Sequence, residues 1–144
     1  MPAGRRGFTL IELLVVVAII GLLSAIVLIN TRDVRFRAQD ASIQSLMHQV
    51  RNQAEFIYTQ NGESYGAICD ESDNTMSDAG EMGILVRAIK IENGGQDIVC
   101  FESADKKEFA AASSLRSQPG KYWCVEAAGL SQEINNQITT AHCQ

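Results

Sequence analysis

The sequence predicts an α+β fold, a long amino-terminal helix packed by a small antiparallel sheet. Three observations predict it. Leu13 to Ile29 reads LLVVVAIIGLLSAIVLI, seventeen residues with no charge. Beyond it the apolar residues keep helical spacing to about Ile57. The second half holds short apolar runs separated by turn signals, together with all four cysteines. Charge divides the same way: residues 1–7 carry +2, residues 8–30 carry −1, and residues 31–144 carry −6, which sum to the net −5 of this 144-residue chain. A basic tip, an apolar rod and an acidic head argue against nucleic-acid coating, and a 46% hydrophobic, 20% charged composition argues against bulk disorder.

With Phe8–Ile11 added, the apolar segment reaches about 22 residues, or roughly 33 Å as a helix, matching a hydrocarbon core of about 30 Å. The competing reading, a buried core helix, fails because the remainder is too small to wrap a helix apolar on every face. Glu12 interrupts the pattern near its start. An ionisable group in an apolar span costs about 2.5–3.5 kcal/mol on insertion scales and marks a functional candidate. The bland alternative is a carboxylate shallow enough to reach the headgroups.

Three readings compete for residues 1–30. A secretory signal lacks its small-x-small cleavage site here. Arg5-Arg6-Gly7-Phe8-Thr9-Leu10 superficially resembles a twin-arginine export signal, but the long, very hydrophobic segment and the lack of a downstream cleavage site weigh against it. The third fits every residue: Gly7-Phe8-Thr9-Leu10-Ile11-Glu12, after a short basic leader and before an apolar run, resembles the prepilin signature of type IV pilins and type II secretion pseudopilins. The resemblance implies a cut between Gly7 and Phe8 by a membrane-embedded peptidase that then N-methylates Phe8. Glu12 becomes the fifth residue of a mature chain that keeps 137 of the 144 residues. One position departs from the family: many pilins place a proline where this chain has Ile29.

The physical logic stands without the family name. Cleavage frees an ammonium at Phe8 close to the Glu12 carboxylate, and each is costly alone in apolar surroundings and less so when paired. Pairing between copies sets axial register; pairing within one chain would aid insertion only.

Past Asn30 the helix becomes amphipathic, with Ile43, Leu46, Met47, Val50, Ala54 and Ile57 at helical spacing and a stop at Asn61-Gly62. The stripe is expected to lie under its own head, within one helix of roughly 80 Å from Phe8 to Gln60. Arg32, Arg35 and Arg37 follow the span, facing anionic headgroups, pairing with Asp33 and Asp40, or simply solvated. His48 reads as a polar-face residue. Residues 61–83 read as a long surface loop. Three strands are expected at Asp97–Phe101, Glu108–Leu115 and Lys121–Glu126, with turns at Asn93-Gly94-Gly95 and Gln118-Pro119-Gly120. Ile84–Ile91 is open between strand and short helix. The head is thus a sheet of three or four strands, which also matches the pilin family's globular domain. The expected organisation is a leader (1–7), a membrane-spanning or filament-core helix (8–30), an amphipathic helix half (31–61) and a head (62–144).

Cys69, Cys100, Cys124 and Cys143 allow three pairings. The favoured one joins Cys69 to Cys100 and Cys124 to Cys143, the second resembling the carboxy-terminal disulfide loop of many pilins. Oxidised cysteines place the head outside the cytoplasm. A zinc site has only His142 nearby. Asp70-Glu71-Ser72-Asp73-Asn74 alternates oxygen ligands but lacks the glycine and distal glutamate of a calcium loop. Tyr65, Tyr122 and Trp123 are core or contact aromatics, the last two facing opposite sides of a strand. No nucleophile, phosphate loop, metal cluster or cofactor motif stands out, so no enzyme activity is expected.

The leading functional expectation is a structural subunit of a type IV pilus-like filament. Its partners are itself, the prepilin peptidase and methyltransferase, an inner-membrane assembly platform and the bilayer. The chain would be single-pass before assembly, amino terminus cytoplasmic, and at the cell surface afterwards. The alternatives are a pseudopilin or minor pilin of a secretion or DNA-uptake machine, and a membrane-anchored binding domain that never polymerises.

Overall fold

The computed structural model describes residues 7–144, without the side chains of 27–30; the basic leader residues Arg5 and Arg6 lie outside the described residues. The chain divides into two compact units between Arg35 and Phe36. One helix, α1 (Leu10–Gln60), contributes to both. Its backbone is helical through Ile29, the position where many pilins carry proline. It stops at the expected Asn61-Gly62, where Gly62 adopts φ +65° and the Glu63 N–H reaches back to the Tyr58 carbonyl (2.9 Å).

The second unit builds its core on the amphipathic half of α1. Ile43, Met47, Val50 and Ala54 are fully buried, against Ile68, Ile98, Phe109, Ala111 and Val125. The sheet is a six-stranded antiparallel meander in sequence order, not the expected three or four strands. It runs β1 (Cys69–Asp70), β2 (Thr75–Met76), β3 (Val99–Glu102), β4 (Phe109–Ser114), β5 (Tyr122–Glu126) and β6 (Ser131–Ile134). The expected 61–83 loop in fact contains β1 and β2. Their two-residue length leaves no periodicity to detect, and they are held by short polar turns: Asp70 Oδ1 accepts from the Ser72 N–H (2.9 Å), and Asp73 Oδ1 from the Thr75 N–H (3.0 Å). Ile84–Ile91 belongs to a second helix, α2 (Gly80–Asn93), which buries Met82, Val86, Ile89 and Asn93 on one face.

Strand β4 is buried on both faces. Phe109 and Ala111 face the α1 core, while Ala110 and Ala112 face a second cluster with Cys124, Ile134, Ile138 and Cys143. The carboxy-terminal residues therefore cover the outer face of the sheet. β6 pairs with β5 while its Ile134 enters that cluster. Trp123 packs toward the α1 side and Tyr122 toward the outer cluster, the opposite facing that adjacent strand positions require.

Two polar anchors join these elements. Buried Asp40 of α1 accepts from the Arg116 N–H (2.6 Å), from the Ser117 N–H (3.0 Å) and from the Ser117 hydroxyl, holding the β4–β5 connection. Buried Asn93 bonds the Gln96 carbonyl (2.9 Å) and the Ser113 hydroxyl (3.1 Å), tying the end of α2 to β4. Gly94 caps α2 at φ +84°, and a Cβ there would lie 2.1 Å from Arg116 Nη1. Gly94→Ala is therefore expected to cost about 1–2 kcal/mol through its left-handed backbone alone, with displacement of Arg116 added. Thermal unfolding of the detergent-solubilised chain checks this; an unchanged midpoint would contradict it.

Candidate assembly site at the amino terminus

From Phe8 to Ile26 the large apolar side chains expose between 47% and 85% of their surface. Nothing described in this unit covers them, and α1 is long and apolar enough here to cross a membrane. At about 25 cal/mol per Å², such a surface demands lipid or other helices. Gly7, Phe8 and Thr9 precede the helix, exposed and without regular structure, so no described residue covers the bond expected to be cut.

Glu12 is the one charged residue between 8 and 30. Its carboxylate folds back on the helix start. Glu12 Oε2 accepts from the Thr9 N–H (2.9 Å) and the Thr9 hydroxyl (2.8 Å), and the Glu12 N–H donates to Thr9 Oγ1 (3.2 Å). This is a capping box: Thr9 is the N-cap and Glu12 the third helical residue, each satisfying an orphan donor of the other. The sequence reading singled out Glu12 and missed Thr9, although T-x-x-E before an apolar run signals it. The arrangement gives a carboxylate that is locally satisfied in a single chain yet retains lone pairs for one more donor. Thr9→Val is expected to weaken the first helical turn by about 1 kcal/mol. Faster amide exchange at Ile11–Leu13 in micelles, with the rest of α1 unchanged, would show it; unchanged exchange would contradict it.

The other sequence candidates lie in the second unit. Disulfides join Cys69 to Cys100 (Cα–Cα 5.4 Å) and Cys124 to Cys143 (Cα–Cα 5.8 Å), and no cysteine is free. The acidic run at 70–74 is occupied by its own turns, and Glu71 pairs with Lys106. Lys106 also bonds Glu102 (2.8 Å); that bond foremost, then Glu71, holds its ammonium pKa well above the ordinary lysine value. Among the described residues no group of three or more His, Cys, Asp or Glu is arranged to hold a metal ion. His142 lies 3.5 Å from Glu108. His48 is exposed, as a polar-face residue is, and its ring also meets Trp123 edge-on at 6.2 Å, with Ser131 Oγ 3.5 Å from Nδ1. Tyr65 is a core residue: it stacks on Tyr58 and Phe109 and donates to Glu55 (2.6 Å), and burial, with that carboxylate, pushes its phenol pKa well up.

Residues 2–28 match the family model described as a prokaryotic N-terminal methylation motif. The chain is similar to the type IV major pilin protein PilE1 of Neisseria gonorrhoeae, 32% identical over 110 residues, which cover 72% of this chain and 57% of that protein. It is similar to PilE of the same species, 33% identical over 90 residues (62% of this chain, 53% of that protein), and to a fimbrial protein of Neisseria meningitidis serogroup B, 32% identical over 90 residues (62% and 52%). The chain thus spans a little over half the length of these relatives. No solved structure matches it. An amino-terminal methylation motif on a long apolar helix, an antiparallel sheet head with two disulfides, and similarity to gonococcal type IV pilins and a meningococcal fimbrial protein together support a place for this chain in the type IV pilin family.

Proposed function

We propose that the protein is a structural subunit of a type IV pilus-like extracellular filament, and that its activity is assembly and not catalysis. The observation that carries this reading is the exposed apolar run of Phe8–Ile26 with its single carboxylate at Glu12, beside a head that builds its core without it. In a membrane the run is covered by lipid; in a filament it is covered by the same run of other copies. A prepilin peptidase cuts between Gly7 and Phe8 on the cytoplasmic side, and its methyltransferase activity methylates the new amine. An inner-membrane platform then moves the chain from bilayer to filament, leaving the head at the cell surface. Residues 8–30 form the filament core, 31–61 the helix half under the head, and 62–144 the head.

Cleavage and registration are coupled. Before the cut, Phe8 nitrogen is an amide; afterwards it is a cation at the start of an apolar helix. Glu12, satisfied by Thr9 in its own chain, accepts the ammonium of a neighbouring copy and fixes axial register, the role for which buried polar pairs are best attested. Intact mass and amino-terminal sequencing of the protein from cell surfaces test the reading. The expected chain begins at N-methylated Phe8 and has both disulfides formed. A functional surface protein beginning at Met1 would contradict it.

A further inference from the structure

Resting on the membrane-inserted state proposed above, the far end of the apolar run offers a contact of its own. Arg32 and Arg35 stand three residues apart, on one face of α1, directly beyond the uncharged stretch that starts at Leu13. Both are exposed, and among the described residues no ion pair or hydrogen bond holds either guanidinium. The two acids that the sequence places near them do not serve. Asp33 points about 100° away from Arg32 around the helix and about 200° away from Arg35. Asp40 is buried in the second unit, where it accepts from the Arg116 and Ser117 N–H groups and the Ser117 hydroxyl. In the head, by contrast, all four lysines are held by carboxylates. Two arginines without a counter-ion, at the edge of an apolar span, are left for their surroundings to neutralise.

The chemistry next to that edge is phosphate. A guanidinium presents a planar fork of N–H donors that matches the oxygens of a phosphodiester, and two forks on one face reach the same headgroup or two neighbours. Their aliphatic stems lie along apolar surface while the charges extend into the headgroup layer. Spacing gives the contact a second role. From Glu12 to Arg32 the helix rises about 30 Å, the thickness of a hydrocarbon core. With Arg32 held at the phosphates on the head side, Glu12 lies at the far boundary of that core. Gly7 and Phe8, which precede the helix, then fall beyond the boundary, within reach of a peptidase acting at the cytoplasmic surface. The aliphatic run alone fixes no depth, because each of its turns is equivalent to the next.

We propose that Arg32 and Arg35 clamp the phosphodiester of anionic phospholipid on the head side of the bilayer, a depth stop that presents the Gly7–Phe8 bond for cleavage. The full chain tests the clamp in nanodiscs of phosphatidylcholine mixed equally with phosphatidylglycerol, where native mass spectrometry counts the lipids each chain keeps. Wild type is expected to prefer phosphatidylglycerol, and Arg32→Gln with Arg35→Gln to reduce that preference at least about tenfold. Arg5 and Arg6 are present in both chains, so the difference isolates the pair. Arg32→Lys with Arg35→Lys is expected to keep most of the preference, because the charge remains. Equal preference in wild type and the glutamine variant overturns the proposal. So does a loss of filaments from that variant with its lipid preference intact, which would assign the arginines to carboxylates of another copy. The depth stop is read from cleavage by prepilin peptidase in vesicles of the same mixture or of phosphatidylcholine alone. The glutamine variant is expected to be cut at least about threefold more slowly than wild type in the mixture, and at the same rate as wild type in phosphatidylcholine. Equal rates in both overturn the depth stop and leave the filament reading standing, whereas a wild-type precursor never cut after Gly7 removes both.

Discussion

Glu12→Gln is expected to abolish surface filaments while leaving insertion, head folding and the start of α1 intact. The amide keeps an oxygen that accepts from the Thr9 N–H and hydroxyl, so the capping box survives in its essentials. What it loses is the charge. A Phe8 ammonium buried among neighbouring helices without its carboxylate carries a penalty of about 3–5 kcal/mol, at least a hundredfold in the association of each added copy. Glu12→Ala is expected to lose filaments equally and to weaken the first turn as well. Thr9→Val reverses the pattern, weakening the turn while filaments persist. Electron microscopy of sheared surface material, beside immunoblots of the membrane fraction, separates these outcomes. Normal filaments from Glu12→Gln would show that Glu12 serves only as a helix cap.

The second large effect is expected from Cys124→Ser with Cys143→Ser. The bridge closes a loop with a sequence separation of 19, worth about 3 kcal/mol on chain-entropy grounds. Its removal also releases the cover on the outer sheet face. Besides the bridge, the end of the chain is held by the Gln132 amide donating to the Cys143 carbonyl (2.9 Å) and by the Cys143 N–H donating to Glu126 (2.7 Å). With the tail loose, Ala110, Ala112 and Ile134 lose the Ile138 and Cys143 side of their cluster. Thermal unfolding of the full chain should fall by about 12–24 °C, given roughly 4–8 °C per kcal/mol in a unit of this size. Protease cleavage should appear first beyond Ile134. An unchanged midpoint and an uncut tail would contradict this.

The helix under the head was legible because its burial obeys one period. Ile43, Met47, Val50 and Ala54 recur at helical spacing with no Gly or Pro between them, and each is buried. The outline of β3, β4 and β5 was legible from short apolar runs between turns. α2 was not, although Met82, Val86, Ile89 and Asn93 also keep helical spacing. Its branched run, Ile84 to Ile91, looks equally like a strand, and Gly80 and Gly83 near its start read as loop. At Gly83 a Cβ would lie 2.0 Å from the Asp78 carbonyl oxygen, a close approach of the turn that enters the helix, which leaves no periodic signature. β1 and β2 take their form from a disulfide and two side-chain turns, and β6 buries only Ile134 while the rest of it stays polar. At the amino terminus the Gly7–Glu12 spacing drew attention to the carboxylate and away from Thr9, the residue that holds it in a single chain.

The distance from the Glu12 carboxylate to the Phe8 nitrogen, in a cryo-EM reconstruction of filaments from the native host, tests the central claim most directly. The account predicts that the nitrogen within about 4 Å of that carboxylate, the limit for an ion pair, belongs to another copy. A carboxylate bonded only to its own Thr9, with every Phe8 amine elsewhere, would contradict it.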